Sequence, residues 1–397
     1  MNYLDLLKEI TEYNDELIKM RRFLHENPEL SYQEFNTSRF VTDKLKSFGI
    51  EVREHVGGTG VVGLIRGRFG KVTVGLRADM DALPVEEQTG LPFASKNKGV
   101  MHACGHDTHM SMLLSAAYIL SRHRDDLDGN VKFLFQPAEE DGGRGGALPM
   151  IEDGALENPH VDHVFGLHVM SDFPVGNFAT RDGPVMAAPD SFTITLHGKG
   201  GHGSAPADTI DPIYVGMNVV NAIYGVRSRF IDQRKPVTVS ICSIYSGTKN
   251  NIIPDSLEML GTLRTLDENL RSNIKQKISE TAKGIATTFG ATADIKFVEN
   301  AYPVTYNDPK ITEEVKSILG KIEGMKVTET DPLMGSEDVS RFLQMAPGTY
   351  YFLGMRDEKK GLVYPNHSPR FTVDEDYLKY GALSHVFVAM HFVGKKN

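Results

Sequence analysis

Apolar residues in the first half of the chain fall into short runs that end on polar ones. Val72-Thr-Val-Gly-Leu76 leads into Arg77-Ala-Asp79, Val131-Lys-Phe-Leu-Phe135 into Gln136-Pro137, and Val164-Phe-Gly-Leu167 into His168. Runs of this length, rich in Val, Leu and Phe, predict strands. Helical spacing lies between and before them. Leu4, Leu7, Ile10, Leu17 and Leu24 read as one amphipathic first helix, and residues 110–121 as another that Asp107 or Thr108 can cap. Strands alternating with helices argue for an α/β domain with a doubly wound, mostly parallel sheet.

The middle of the chain changes pattern. Phe192, Ile194 and Leu196 alternate with Thr and Ser as in a half-buried strand. A helix is predicted over 212–230, strands over 237–244 and 257–264, a helix over 268–289 and a strand over 293–298. This β-α-β-β-α-β order is the split βαβ of ferredoxin-like folds. The chain therefore reads as a discontinuous domain, 1–185 and 300–397, interrupted by a smaller α+β domain at 186–299. Gly183-Pro184 and Tyr302-Pro303 sit near the two junctions as candidate hinges.

Composition narrows the class. With 397 residues, two domains are favoured over one, and 43 Lys+Arg against 52 Asp+Glu leaves a net charge of −9, which argues against a nucleic-acid partner. The N-terminal segment mixes acidic and apolar residues without a signal-peptide core, and the apolar run 110–120 is too short to span a bilayer. Two cysteines cannot form a disulfide framework. A cytoplasmic protein without a membrane partner is expected. The count to explain is 14 His against 2 Cys.

In an open α/β sheet, ligands bind beyond the carboxyl ends of the strands. Asp79 and Asp81 follow the first run, Glu139 and Glu140 the second, and His168 the third; Met101-His-Ala-Cys-Gly-His-Asp-Thr-His109 lies between the first two. Carboxylate, imidazole and thiolate together suit zinc or a transition metal, and a single Cys fits an open catalytic site better than a structural one. Cys104 and His106, two apart, belong on a loop or the turn before a helix. Plainer readings stand beside this. His102, His106 and His109 could be helix-start histidines, Cys104 a small buried hydrophobe, and Glu139-Glu140-Asp141 a solvated acidic turn.

Arg77-Ala-Asp-Met-Asp-Ala-Leu-Pro84, Met101-His-Ala-Cys-Gly-His-Asp107, Gln136-Pro-Ala-Glu-Glu140 and Gly166-Leu-His168 resemble the signature set of the aminoacylase and carboxypeptidase type di-metal hydrolases. Gly198-Lys-Gly-Gly-His202, Asn251-Ile-Ile-Pro-Asp255, Gly261-Thr-Leu-Arg264, Gly335-Ser-Glu-Asp338 and Asn366-His-Ser-Pro369 extend the match from about residue 20 to 385. The set is most similar to the hippurate hydrolase and N-acyl-amino-acid amidohydrolase branch, which includes plant indole-acetyl-amino-acid hydrolases.

The resemblance implies two divalent cations per subunit (Mn, Zn, Co or Ni) and a bridging water. Cys104 would bridge the metals where many relatives have Asp, His106 and His168 would complete one site, and Glu140 with His367 the other. Glu139 would be the general base, and Asp81 would orient His106 or another imidazole; Asp79 and Asp107 are further candidate supports. His202, on a glycine-rich loop, would stabilise the oxyanion, supplied by the partner subunit of a dimer as in the wider family. Asn251 and Arg264 would bind the substrate carboxylate or backbone; a strand-edge salt bridge is the plainer role for Arg264. The inserted domain would serve as lid and dimerisation surface, with an edge strand available for pairing.

The implied reaction is hydrolysis of a small N-acyl amino acid, of the N-acetyl or N-benzoyl type. A metallo-exopeptidase on dipeptides is the nearest alternative, and a silent metal- or amino-acid-binding protein a further one. A mere binder has no use for both Glu139 and Glu140. Two positions depart from the family or lack a role. Pro206 is followed by Ala207 where many relatives have His, and Arg144 adds a positive group after Glu140. Cys242, on a predicted strand, reads as packing.

Overall fold

The computed structural model describes residues 3–394. In chain order it runs α1 (Tyr3–Glu12), α2 (Asn14–Glu26), α3 (Phe35–Ser47), β1 (Glu51–Val56), β2 (Gly60–Ile65), β3 (Thr73–Asp79), α4 (His106–Arg122), β4 (Asn130–Gln136), α5 (Ala147–Glu152), β5 (His163–Pro174), β6 (Asn177–Thr180) and β7 (Gly183–Met186). There follow β8 (Ala188–His197), β9 (Gly201–His202), α6 (Pro212–Arg229), β10 (Val237–Tyr245), β11 (Ile252–Ile253), β12 (Ser256–Thr265), α7 (Glu268–Thr288) and β13 (Thr292–Phe297). The chain ends with β14 (Thr305–Asn307), α8 (Pro309–Leu319), β15 (Lys326–Glu329), α9 (Val339–Met345), β16 (Gly348–Arg356) and α10 (Leu378–Val393). It divides into two compact units: Met1–Val185 with Thr305–Asp331 and Glu337–Asn397, and Met186–Val304 with Pro332–Ser336.

The first unit holds an eight-stranded sheet in the order β1-β2-β4-β3-β5-β16-β6-β15. It is mixed: four of its seven neighbouring pairs, β6–β15 among them, are parallel and three are antiparallel. β4, β3, β5 and β16 pair in parallel, whereas β1–β2, β2–β4 and β16–β6 are antiparallel. The turn at Gly57 and Gly58, both with positive φ, is too short for a crossover and folds β1 back on β2.

Alternation along the strands gives the sheet two unlike faces. Val74, Leu76 and Ala78 of β3, Val131, Phe133 and Phe135 of β4, and Phe165, Leu167 and Val169 of β5 enter one apolar core with residues of α4 and α10. Arg77, Asp79, Lys132, Gln136 and His168 alternate with them and are buried. This second face carries the chemistry.

Two helical expectations change. The N-terminal stripe is broken at Tyr13 into α1 and α2; Leu4 is exposed, and Leu6, Ile10, Leu17, Met20 and Leu24 make the contact with the core. α4 begins at His106 with Gly105 as N-cap, and neither Asp107 nor Thr108 caps it. Gly105 has φ 95°, and a Cβ there would meet Val169 Cγ2 at 2.4 Å. Asp107 is drawn away instead, to Arg21 Nε at 2.9 Å and His25 Nδ1 at 2.8 Å.

Apart from the two-residue strands β9 and β11, which pair with each other, the elements of the second unit run β8-α6-β10-β12-α7-β13. Its four-stranded antiparallel sheet, β10-β12-β8-β13, packs α6 and α7 over a core that includes Phe192, Ile194, Leu196, Val219, Ile223, Met259 and Ile278. Asp211 caps α6, with Pro212 in its first turn, and Asp267 caps α7. Asp190, fully buried, is held by Arg271 at 2.6 Å and Lys275 at 2.9 Å. Cys242 is not packing. It sits where the β10 register shifts between Ile241 and Ser243, and its side chain is exposed. Among the described residues, no helix is long and apolar enough to cross a membrane.

Gly166 of β5 faces Tyr350, its partner on β16, and an added Cβ would lie 2.8 Å from the ring and 3.4 Å from Val339 of α9. The ring cannot retreat freely, because its hydroxyl donates to Glu337 at 2.7 Å. Gly166→Ala is therefore expected to destabilise the first unit by about 1–3 kcal/mol. An unchanged thermal unfolding curve would contradict this packing.

Candidate active site

Beyond the carboxyl ends of β3 and β4, and beside the middle of β5, side chains converge on the Cys104 sulfur; β5 does not end at His168 but continues to Pro174. His168 Nε2 and His367 Nε2 each lie 3.3 Å from Sγ. Cys104, His106 and His168 form one group of donor atoms within 4.8 Å of each other, and Cys104, Glu140 and His367 form a second. The sulfur belongs to both. His106 Nε2 and Glu140 Oε1 face each other at 3.9 Å, both buried and both without a hydrogen-bond partner.

Backbone and carboxylate contacts set each ligand. His106 Nδ1 donates to the Asp81 carbonyl at 2.9 Å, which turns Nε2 inward toward Glu140. His168 Nδ1 is likewise tied to the Val169 carbonyl at 2.6 Å. The Asp81 carboxylate accepts from the Glu139 amide at 3.0 Å, the Glu140 amide at 2.9 Å and the Ser31 hydroxyl at 2.6 Å. Asp81 thus orients His106 through its carbonyl and the glutamate pair through its carboxylate.

Residues 75–389 match the model of peptidase family M20/M25/M40. The chain belongs to that family. It is 56% identical over the whole of both chains to thermostable carboxypeptidase 1 of Saccharolobus solfataricus. It is 39% identical to N-acetyl-L-cysteine deacetylase of Bacillus subtilis, covering 91% of this chain and 84% of that protein. Among solved structures, the Bacillus subtilis YXEP protein, described as a dinuclear metal-binding peptidase of the M20 family, superposes with a TM-score of 0.84 at 34% identity, covering 96% of this chain and 99% of that one. As an M20 member the chain is a metallohydrolase acting on amide bonds.

The electrostatics of this M20 site fit cations. Burial, then Glu140 and Glu139, push the Cys104 thiol well above its ordinary pKa. Burial and the neighbouring Glu337 and Glu140 likewise push Glu139 well above the carboxylate range. Burial lifts Glu140 to about 7 even against His106. Although burial opposes its charge, Asp79 and Asp81 raise His106 to about 10. All four shifts favour protonated donors crowded out of water, and two of the buried donor atoms, His106 Nε2 and Glu140 Oε1, find no hydrogen-bond partner. Divalent cations are what such a set accommodates.

His202, Asn251 and Arg264 lie in the second unit. His202, on β9, is exposed; its Nδ1 accepts from the Ser204 amide at 3.1 Å, so the neutral ring carries its proton on Nε2. Asn251 stands beside it, its carbonyl accepting from the Gly203 amide at 2.9 Å. Arg264 is not brought to them. It lies eight residues along β12 from Ser256, roughly 26 Å of extended chain. Among the described residues it makes no ion pair. Its guanidinium, bonded to Thr262 Oγ1 at 2.8 Å, lines a cavity of about 520 Å³ with Lys296, Thr193, Leu260 and Cys242. Arg144 pairs with Glu152 at the exposed surface of the first unit.

Several site residues carry roles that the sequence did not reveal. Asn366 donates to the carbonyls of Cys104 and Val169 at 3.0 and 3.1 Å, and the His367 amide donates to Ala103 at 2.8 Å, which brings a distant loop to the sulfur. His109 links Asp79 at 2.5 Å to the Val169 amide at 2.9 Å, bracing the strand at His168. Glu337 and Asp338 gather with Asp79 around Arg77, at 2.8, 3.0 and 2.6 Å. Their places in the Met101–His109, Gly335–Asp338 and Asn366–Pro369 motifs were the signal available; their partners, 200 or more residues away in some cases, were not.

Arg77 is the cation that three buried carboxylates share, and it also donates to Gln136 at 2.8 Å. Arg77→Met would strand those charges, and is expected to lower stability by about 3–5 kcal/mol in urea unfolding. Arg77→Lys should recover only part of it, lacking the fork that reaches several partners. Wild-type stability in Arg77→Met would refute this role.

Proposed function

We propose that the chain hydrolyses small N-acyl amino acids, of the N-acetyl or N-benzoyl type, to a carboxylate and a free amino acid. Two divalent cations, drawn from Mn, Zn, Co and Ni, would be held by Cys104, His106 and His168 and by Cys104, Glu140 and His367. The observation that carries the reading is the sharing of one sulfur by two ligand groups. When bound, the cations would polarise the acyl carbonyl and make a water nucleophilic at neutral pH. Cys104 would then be a thiolate.

Glu139 is the proton carrier. Its amide is fixed by Asp81, and its carboxyl lies with Glu337 and Asp338, and with His106 and Glu140, rather than with the Cys104 groups. It takes a proton from the attacking water and returns it to the nitrogen of the leaving amino acid. His202, with its proton on Nε2, serves as donor to the tetrahedral oxyanion.

The length of β12 supports a division of labour: His202 and Asn251 serve a partner's site while Arg264 binds the substrate carboxylate. In this reading the second unit, residues 186–299, is a ferredoxin-like lid and dimerisation domain, and the enzyme is a cytoplasmic homodimer. A strictly monomeric, fully active enzyme in solution would count against it.

The 56% identity to a protein named carboxypeptidase favours one second reading, cleavage of peptides with a free C-terminal carboxylate. A panel of N-acetyl and N-benzoyl amino acids beside dipeptides separates the two. The expected outcome is faster turnover of the acyl amino acids, and preference for dipeptides would favour the peptidase. In either case Glu139→Gln, with metal content verified, should lower kcat by about 10²-fold or more. Wild-type turnover in that variant would remove Glu139 from the chemistry.

A further inference from the structure

Three separate segments meet at the carboxylate of Glu34. The side chain is fully buried. One oxygen accepts from the Tyr32 amide at 3.0 Å and the Ala138 amide at 2.8 Å; the other accepts from the Thr59 hydroxyl at 2.6 Å. Thr59 belongs to the turn between β1 and β2, and Ala138 immediately precedes the Glu139-Glu140 pair.

Two of these partners have an unusual backbone. Tyr32 has φ 64° and Ala138 φ 52°, the left-handed region that side chains other than glycine's rarely occupy. Such a conformation persists only where surrounding contacts over-determine it. At Ala138 the contact is the Glu34 oxygen. The next two amides, of Glu139 and Glu140, go to the two oxygens of Asp81, whose carboxylate also holds Ser31 on the Glu34 segment. Three consecutive N–H groups leading into the glutamate pair are therefore received by two buried carboxylates.

We propose that Glu34 is a positioning residue for the general base: by holding Ala138 in the left-handed conformation, it aims the Glu139 carboxyl at the reacting atoms. The proposal rests on Glu139 being that base. A glycine at 138 would adopt this backbone unaided but would also sample others. The chain instead has alanine and an external clamp. Asp81 fixes where the pair's amides point, and Glu34 fixes the bend from which they start.

The test is steady-state kinetics on four variants, with bound metal measured for each. Glu34→Ala should lower kcat about tenfold or more while KM and metal content stay near wild type, since small misplacements of a catalytic group are costly. In Glu34→Gln, one carbonyl oxygen can accept both amides while the NH2 donates to Thr59 Oγ1, so kcat should return to within about threefold of wild type. Glu34→Ala combined with Ala138→Gly should regain much of the lost kcat, because glycine needs no clamp.

Undiminished kcat in Glu34→Ala would overturn the proposal, as would failure of the glycine to restore activity or a loss of metal that matches the loss of kcat. If Glu34→Ala does not fold, Glu34→Asp, whose carboxylate is withdrawn by one methylene, takes its place with the same expected loss. Glu139→Gln completes the set. If it is active, the base assignment fails and the proposal with it; if it is inactive while Glu34→Ala is undiminished, only the Glu34 proposal fails.

Discussion

Asp79, Asp81, Glu139, Glu140, Glu337 and Asp338 crowd one rim of a sheet, nearly all of them out of water, and Arg77 is the guanidinium that answers them. Burying a carboxylate without a partner is costly, so this concentration has to be resolved by cations, by shared protons or by hydrogen bonds. Arg77 resolves the inner part, where Asp79, Glu337 and Asp338 surround it. Backbone amides and hydroxyls resolve Asp81. The outer part, Cys104, Glu140, His106, His168 and His367, has donor atoms left over, and that surplus is what fits the site to divalent cations.

The fold makes the arrangement affordable by separating two faces of one sheet. The face against α4 and α10 is apolar without interruption, while the opposite face carries Arg77, Gln136 and His168 at alternate positions of the same strands. Each strand therefore serves stability and chemistry through residues one position apart. A register slip of one residue would exchange the two sets, so the apolar core also fixes where the ligands emerge.

Much of this was legible in the chain. Asp79, Glu139 and Glu140 stand at or just beyond strand ends that period and composition make readable, whereas His168, at the end of an apolar run, lies in the middle of β5, which continues to Pro174. The antiparallel pairing of the outer strands was not readable, because it depends on how short the connection at Gly57-Gly58 is rather than on strand content. Asp107 looked like a helix cap by position, but a buried Arg21 and His25 from α2 claimed it. Asn366, His109 and Glu34 escaped for a shared reason. Each acts through backbone groups of residues remote in sequence, and no local pattern encodes which amide or carbonyl a side chain will meet.

The sharing of Cys104 between two ligand groups is the claim on which the rest turns, and metal stoichiometry tests it directly. Elemental analysis of the purified protein, loaded with excess divalent metal and then dialysed against metal-free buffer, should give two equivalents per chain. His168→Ala and His367→Ala should each lose one, and Cys104→Ala should lose both. Two equivalents retained in Cys104→Ala, or a single equivalent in the unaltered chain, would contradict a bridging sulfur.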